Sequence, residues 1–168
     1  MQTEVENMNK NNIDKVFQYV RLNQVENLKK EVNSSNVNDF INEYDENLLQ
    51  EAISSKAFEI IKYLLECDIN INHADRDGKT PLHFSTAYND YDTTQFLLDN
   101  KSIEIDKKDI HGNNPMWVAT FNARGYYDVV KLLKQAGANP NSKNNNNKSA
   151  LDFAKQIEDQ DLEKILAN

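Results

Sequence analysis

Residues 80–85 read Thr-Pro-Leu-His-Phe-Ser, and this stretch decides the fold because versions of it occur three more times in the chain. The other copies are Asn-Leu-Leu-Gln-Glu-Ala from residue 47, Asn-Pro-Met-Trp-Val-Ala from residue 114 and Ser-Ala-Leu-Asp-Phe-Ala from residue 149. Successive copies therefore start 33, 34 and 35 residues apart. Each has a large apolar residue in third place and a small residue in sixth, so each copy is interpreted as the start of a repeating unit.

A second apolar cluster follows each copy, at residues 60–65, 96–98, 129–133 and 162–166. Spacings of three and four place such residues on one face of a helix. After the first three clusters comes a segment with glycine, asparagine or aspartate, which suits a hairpin-like turn with positive φ. Each unit is therefore predicted to be a short helix, a tight turn, a longer amphipathic helix and a hairpin-like loop.

The residues that begin the four copies support this prediction. Each copy starts with asparagine, threonine or serine, whose side chain can cap the free N–H groups of the first helix. Pro81 and Pro115 fall in the first helical turn, where a missing N–H donor costs nothing. One helix pair cannot bury both of its apolar faces, so the units are expected to stack into a continuous core.

These features resemble ankyrin repeats. Thr-Pro-Leu-His at residues 80–83 is similar to the hallmark tetrapeptide of that family, with Ser85 where the family prefers alanine. Residues 134–139, Lys-Gln-Ala-Gly-Ala-Asn, resemble the usual end of the second helix. The resemblance covers roughly residues 45–168 and implies an all-α solenoid of stacked helix-turn-helix units with short β-hairpin-like loops. It also implies that His83 forms hydrogen bonds between repeats.

We expect a single repeat domain over residues 11–168 after a flexible N-terminus at residues 1–10. Residues 13–28 have helix–helix spacing but lack the tetrapeptide, and the last unit is rich in charged residues. Both ends are interpreted as degenerate caps, so the chain is expected to be a complete protein. The five predicted repeats are residues 11–42, 43–75, 76–109, 110–144 and 145–168.

Two departures from the repeat pattern concern the turns. Leu82 to Leu97 spans fifteen residues, whereas Met116 to Leu133 spans seventeen. Two additional residues near position 124 are therefore expected to lengthen the first helix or to enlarge the turn. In the earlier repeats Lys56 and Asn89 replace the glycine that usually occupies this turn, and lysine is poorly suited to it.

Composition and charge limit the range of possible functions. The 168 residues are 39% hydrophobic and 27% charged, which is typical of a globular domain. The formal net charge of −8 argues against nucleic acid as a partner and favours a partner with a basic surface, although solubility alone would also explain it. Cys67 is the only cysteine, and the chain has neither an evident leader nor a membrane-length apolar run. We therefore expect a cytoplasmic monomer without membrane contact.

The residue patterns do not indicate catalysis. The chain contains neither a phosphate-binding glycine loop nor a nucleophile motif, and its three histidines lack metal-ligand spacing. Residues 75–78, Asp-Arg-Asp-Gly, are interpreted as a hairpin because a calcium loop would place its glycine and ligands differently. Cys67 is interpreted as a packing residue. The prediction is a protein that is not an enzyme and uses no cofactor or metal.

The resemblance implies that hairpin tips and first helices line a concave groove that binds another protein. An aromatic centre is predicted around Tyr88, Trp117 and Phe121, because aromatic side chains are typical interface anchors. Alternatively, Trp117 and Phe121 fill the space opened by the insertion. The candidate binding residues are Tyr44, Asp45, Glu46, Arg76, Asp77, Lys79, Tyr88, Ile110, His111, Asn113, Trp117, Phe121 and Asn122.

The predicted function is therefore non-catalytic binding of one partner protein. An acidic binder of this size suits an inhibitor or immunity protein that acts against a basic toxin domain. The alternatives are a secreted host-directed effector and a regulatory adaptor subunit of a larger complex.

Overall fold

The computed structural model describes the backbone of residues 2–167 and the side chains of residues 10–167. The described residues form helices but no strand, and Ile41 and Asn47 make an isolated antiparallel bridge. The predicted all-α fold is therefore confirmed. The helices are α1 (Gln2–Arg21), α2 (Val25–Glu31), α3 (Leu48–Ser54), α4 (Phe58–Glu66), α5 (Pro81–Ala87), α6 (Tyr91–Leu98), α7 (Pro115–Asn122), α8 (Asp128–Gln135), α9 (Ala150–Gln156) and α10 (Gln160–Ala167).

The chain divides into two compact units, an N-terminal unit Met1–Arg76 and a C-terminal unit Asp77–Asn168. In the N-terminal unit α1 packs against α2 and α3, and α3 packs against α4. In the C-terminal unit the first helices α5, α7 and α9 stack in sequence order, and the second helices α6, α8 and α10 do the same. This stacking is what a repeat needs in order to bury both of its apolar faces.

The repeated motif places the same residue types in the core of each repeat. The third-place residues Leu49, Leu82 and Met116 are fully buried, whereas Leu151 in the last copy is only half-buried. The sixth-place residues, which are alanine or serine, are also fully buried. A small residue there lets neighbouring helices approach closely, and the partial exposure of Leu151 suits the predicted closing cap.

The N-caps form at the predicted residues. Asn47 and Asn114 accept N–H groups of the first helical turn with their side chains, and Ser149 does so from Asp152. At Thr80 the bond is made by the backbone of the N-cap residue, whose N–H donates to Nδ1 of His83. Caps of this kind satisfy groups that the helix itself leaves without partners.

The turns between paired helices show how the two departures are accommodated. Lys56 and Asn89 both adopt the left-handed conformation, with φ of 55° and 51°. The insertion both lengthens the helix and enlarges the turn, because α7 has eight residues where α5 has seven, and residues 123–127 connect α7 to α8.

At the N-terminus, residues 2–10 form the first turns of α1, and residue 1 lies outside the described part of the chain. The flexibility of residues 1–10, the single domain and the five repeat boundaries stay predictions.

Candidate functional site: hairpin tips and an aromatic cluster

Four loop tips share one backbone conformation. A residue in the left-handed region stands at each tip, namely Asp45, Gly78, Gly112 and Asn147, with φ between 57° and 77°. Aspartate and asparagine tolerate this region better than other side chains, and glycine adopts it without steric cost. The predicted hairpin-like turns therefore form around these four residues.

An aspartate or asparagine three residues before the left-handed residue organises three of these tips. Asn42 Oδ1 accepts the N–H groups of Tyr44 and Glu46 at 2.9 and 3.0 Å. Asp109 does the same for His111 and Asn113, and Asn144 does so for Asn146 and Lys148. These residues do not appear among the predicted site residues, although the recurrence of Asn or Asp at positions 42, 75, 109 and 144 could have indicated them.

In the N-terminal unit the structure brings Tyr44, Asp45, Glu46 and Arg76 together. The Arg76 guanidinium lies 4.9 Å from the centre of the Tyr44 ring, and the Arg76 N–H donates to the Tyr44 carbonyl. His73 Nε2 donates to the Asp45 carbonyl at 2.6 Å. Burial raises the pKa of Glu46, although a hydrogen bond from Asn42 opposes that shift. The cluster presents an aromatic ring, a cation and a carboxyl group on one surface.

An open groove adjoins this cluster in the N-terminal unit. Its volume is about 570 Å³, and it lies between one face of α1 and residues 41–44. Ile13, Phe17 and Ile41 contribute apolar lining, and both basic and acidic side chains stand at its edge. The sequence prediction missed this groove because it assigned binding only to tips and to first helices that carry the motif.

In the C-terminal unit the tip residues support one another. The Ile110 N–H donates to the Asp77 carbonyl at 2.9 Å, and Lys79 Nζ lies 3.0 Å from Asp77 Oδ2. Asn113 accepts a hydrogen bond from Asn144 and donates one to Asp109. The Asn113 side chain therefore connects neighbouring tips, and both Ile110 and His111 are exposed.

An aromatic cluster forms between α7 and α9 in the C-terminal unit. The Trp117 and Phe121 rings stack with centroids 5.2 Å apart and planes inclined by 11°. Phe153 lies 6.0 Å from Trp117 and 5.5 Å from Phe121, with tilted rings. Trp117 is half-buried and Phe121 is 54% exposed, so only Trp117 suits the alternative of filling space near the insertion.

Trp117 differs from its counterparts in the other repeats. Gln50, His83 and Asp152 occupy the same place, and each accepts the N–H of its N-cap residue. The indole nitrogen of Trp117 can only donate, and in the described chain its buried N–H has no partner. The aromatic ring therefore replaces a capping group, and its contacts are with Phe121 and Phe153.

The remaining predicted residues, Tyr88 and Asn122, lie at the C-terminal ends of α5 and α7. Tyr88 is the C-cap of α5 and is 51% exposed, and α5 packs against α7. Asn122 Nδ2 donates to the Val118 carbonyl at 2.8 Å, so its amide is anchored on α7. Phe153 was missed because its place in the motif does not predict which ring it contacts. A single groove that includes the predicted residues of both units stays a prediction.

Two further features concern the kind of site. Across residues 10–167, His, Cys, Asp and Glu side chains do not form a group of three or more that could hold a metal ion. None of the described helices combines the length and the apolar character that crossing a membrane requires.

Comparison with known proteins adds the family context. The family described as ankyrin repeats (3 copies) matches residues 9–109 and 49–144. The E3 ubiquitin-protein ligase hecd-1 of Caenorhabditis elegans is 30% identical over 118 residues, which are 70% of this chain and 4% of that protein. Serine/threonine-protein kinase 12 of Arabidopsis thaliana is 38% identical over 80 residues, which are 48% of this chain and 17% of the kinase.

A third relative matches over a longer segment. The ANK repeat-containing protein nipk-1 of Caenorhabditis elegans is 27% identical over 130 residues, which are 68% of this chain and 21% of that protein. The chain therefore spans about a fifth or less of the length of these three relatives.

Proposed function

Because the chain belongs to the ankyrin repeat family, a family of protein interaction modules, we propose that it binds one partner protein through its tips and first helices without catalysing a reaction. The observation that carries the proposal is the aromatic cluster of Trp117, Phe121 and Phe153. Its exposed member, Phe121, stands on a first helix, where a purely structural ring would be covered. Exposed aromatic rings on a rigid helix are typical binding anchors.

The charge of the chain supports a basic partner. The net charge of −8 attracts a positively charged surface and accelerates its encounter with this chain. An inhibitor or immunity protein that blocks a basic toxin domain is the form of binding that best fits this charge. We place that binding in the cytoplasm, where the buried unpaired Cys67 would persist as a thiol, and we expect the free protein to be a monomer.

A second candidate is a secreted host-directed effector or a regulatory adaptor subunit of a larger complex. The observation that favours it is the similarity to segments of a ubiquitin ligase and of a kinase, which make up 4% and 17% of the lengths of those proteins. By analogy, the repeats of this chain would bring a partner to a catalytic protein. A partner with an enzymatic domain, which keeps its activity when bound, would favour this candidate over inhibition.

The test is co-purification of the tagged chain from its source cells, with mass spectrometry of the bound proteins. Tyr88→Ala combined with Phe121→Ala should abolish capture of the partner while circular dichroism stays unchanged. Tyr91→Ala is the matched control, because Tyr91 is 46% exposed but stands on the second helix α6. Capture of the same partner by the folded double variant would refute the proposed surface.

Salt dependence tests the basic character of the partner. Binding that relies on opposite charges should weaken several-fold as the ionic strength rises from about 0.05 M to 0.5 M, because the Debye length shrinks. An affinity that does not change over this range would exclude the basic-surface part of the proposal. It would leave the aromatic surface in place.

A further inference from the structure

The Phe121 ring is covered on one side and accessible on another. Trp117 stacks on it at 5.2 Å, and Phe153 packs against it at a tilt, yet Phe121 remains 54% exposed. A ring held in this way is already positioned, so a ligand can contact it with little loss of side-chain conformational entropy. The cluster is therefore a rigid platform with one open member.

The electrostatics of the platform indicate the kind of ligand. Aromatic faces carry negative charge density and attract cations within about 6 Å of the ring centre. Four other rings of this chain each have a basic side chain over them, whereas no Lys or Arg among residues 10–167 lies over a ring of the platform. The four pairs are Lys15 over Tyr19, Lys29 over Tyr63, Lys62 over Phe58 and Arg76 over Tyr44, at distances of 4.6 to 5.6 Å.

The shape of the platform favours a flat cation. A planar guanidinium can stack face to face on an aromatic ring, which a compact ammonium group does less well. An arginine side chain therefore suits the open side of Phe121 better than a lysine side chain.

We infer that the partner protein inserts an arginine side chain against Phe121, with its guanidinium stacked on the ring. This inference rests on the proposed function and specifies how the basic partner is recognised. The Arg76–Tyr44 pair in the N-terminal unit shows that this chain already uses the same kind of contact internally.

The inference can be tested with a synthetic probe, hexa-arginine, added to the full chain at low salt. Trp117 is the only tryptophan, so its fluorescence reports on the platform. Phe121→Leu removes the ring but keeps the net charge, and it should weaken hexa-arginine binding about fivefold. The matched control is Tyr126→Leu, which removes a ring that is 73% exposed and should leave the affinity unchanged.

A neutral analogue of the peptide provides a second binding measurement. Hexa-citrulline has a side chain of similar shape without the charge, so it should bind at least fivefold more weakly than hexa-arginine. Equal affinity of the two peptides, equal affinity of the wild type and Phe121→Leu, or an equal loss in Tyr126→Leu would overturn the inference. The probe does not involve the natural partner, so such a result leaves the co-purification experiment to decide the proposed function separately.

Discussion

His83 Nε2 lies 3.1 Å from the carbonyl oxygen of Asn113, thirty residues further along the chain. At its other nitrogen, His83 Nδ1 accepts the backbone N–H of Thr80 at 3.1 Å. Because a carbonyl only accepts, the proton of the neutral ring is on Nε2. One buried imidazole therefore caps α5 and holds the next hairpin tip, which is the role that the family resemblance implied for His83.

Replacement of His83 by alanine should lower the free energy of unfolding by about 2–4 kcal/mol, because it leaves the buried Thr80 N–H without a partner and removes one of the two hydrogen bonds that the Asn113 carbonyl accepts. Urea denaturation followed by circular dichroism measures this loss. His83→Gln is the control, since Gln50 accepts the N–H of its own N-cap at 2.8 Å in the preceding repeat. We expect about half the loss in His83→Gln, and an equal loss in both variants would argue against the capping role.

Replacement of Lys56 by glycine should raise the free energy of unfolding by about 0.5–1 kcal/mol. Lys56 is exposed with φ of 55°, a conformation that costs a lysine about 1–2 kcal/mol and costs glycine almost nothing. Part of the gain is lost because glycine makes the unfolded chain more flexible. Thermal unfolding of the variant measures the effect.

Asn89→Gly provides the comparison, because asparagine tolerates the left-handed region and should gain close to nothing. A larger stabilisation at Asn89 than at Lys56 would contradict this explanation.

The sequence could predict the helices and their caps because those features depend on local spacing. Asn47, Thr80, Asn114 and Ser149 all cap where the repeated motif begins, and the small residue in sixth place is always buried. The period alone also predicts the left-handed tip residues, because only glycine, asparagine and aspartate occur there. These properties do not require knowledge of which distant side chains meet.

The parts of the site that the sequence could not predict depend on contacts between repeats. Asn113 is predicted to be a binding residue, but the sequence does not predict that its side chain bonds to both Asp109 and Asn144. Phe153 was not predicted, yet its ring completes the cluster of Trp117 and Phe121. Both contacts depend on how closely neighbouring repeats approach one another, and the spacing of residues along the sequence does not specify the distance between repeats.

Replacement of Gly112 by alanine should destabilise the chain more than the same change at Gly137. A Cβ atom on Gly112 would lie 2.5 Å from Asn145 Oδ1 and 2.9 Å from Asn145 N, whereas a Cβ on Gly137 would meet nothing within 4 Å. Both glycines have positive φ, so both changes cost about 1–2 kcal/mol in backbone strain. The difference between them isolates the close approach of two tips.

We expect Gly112→Ala to lower the free energy of unfolding by at least about 1 kcal/mol more than Gly137→Ala, because the Asn145 backbone must also move. Urea denaturation of the two variants measures the difference. Equal losses of unfolding free energy would show that the neighbouring tip moves to accommodate the Cβ atom at no cost in stability.

The hydrogen bond between Tyr127 and Asp159 should make stability depend on pH at both extremes. The Tyr127 hydroxyl donates to Asp159 Oδ2 at 2.6 Å. This bond raises the pKa of Tyr127 above its ordinary value of 10.0 and lowers the pKa of Asp159 below 3.8. The bond therefore requires a protonated phenol and an ionised carboxylate, and Tyr127→Phe removes it at every pH.

The stability difference between the wild type and Tyr127→Phe should be constant between about pH 5 and pH 9. Because the pKa of Asp159 is lower in the folded protein than in the unfolded chain, Asp159 stabilises the fold fully above its unfolded pKa. This stabilisation is lost as the pH falls through the folded pKa, which lies below 3.8. Because the pKa of Tyr127 is raised in the folded protein, Tyr127 stabilises the fold fully below its unfolded pKa of 10.0. This stabilisation is lost as the pH rises through the higher pKa of the folded protein. Urea denaturation at several pH values checks both limits. Tyr126→Phe is the control, because it removes the hydroxyl of a neighbouring tyrosine that is 73% exposed. A Tyr127→Phe difference that persists unchanged at about pH 2 would refute the assignment.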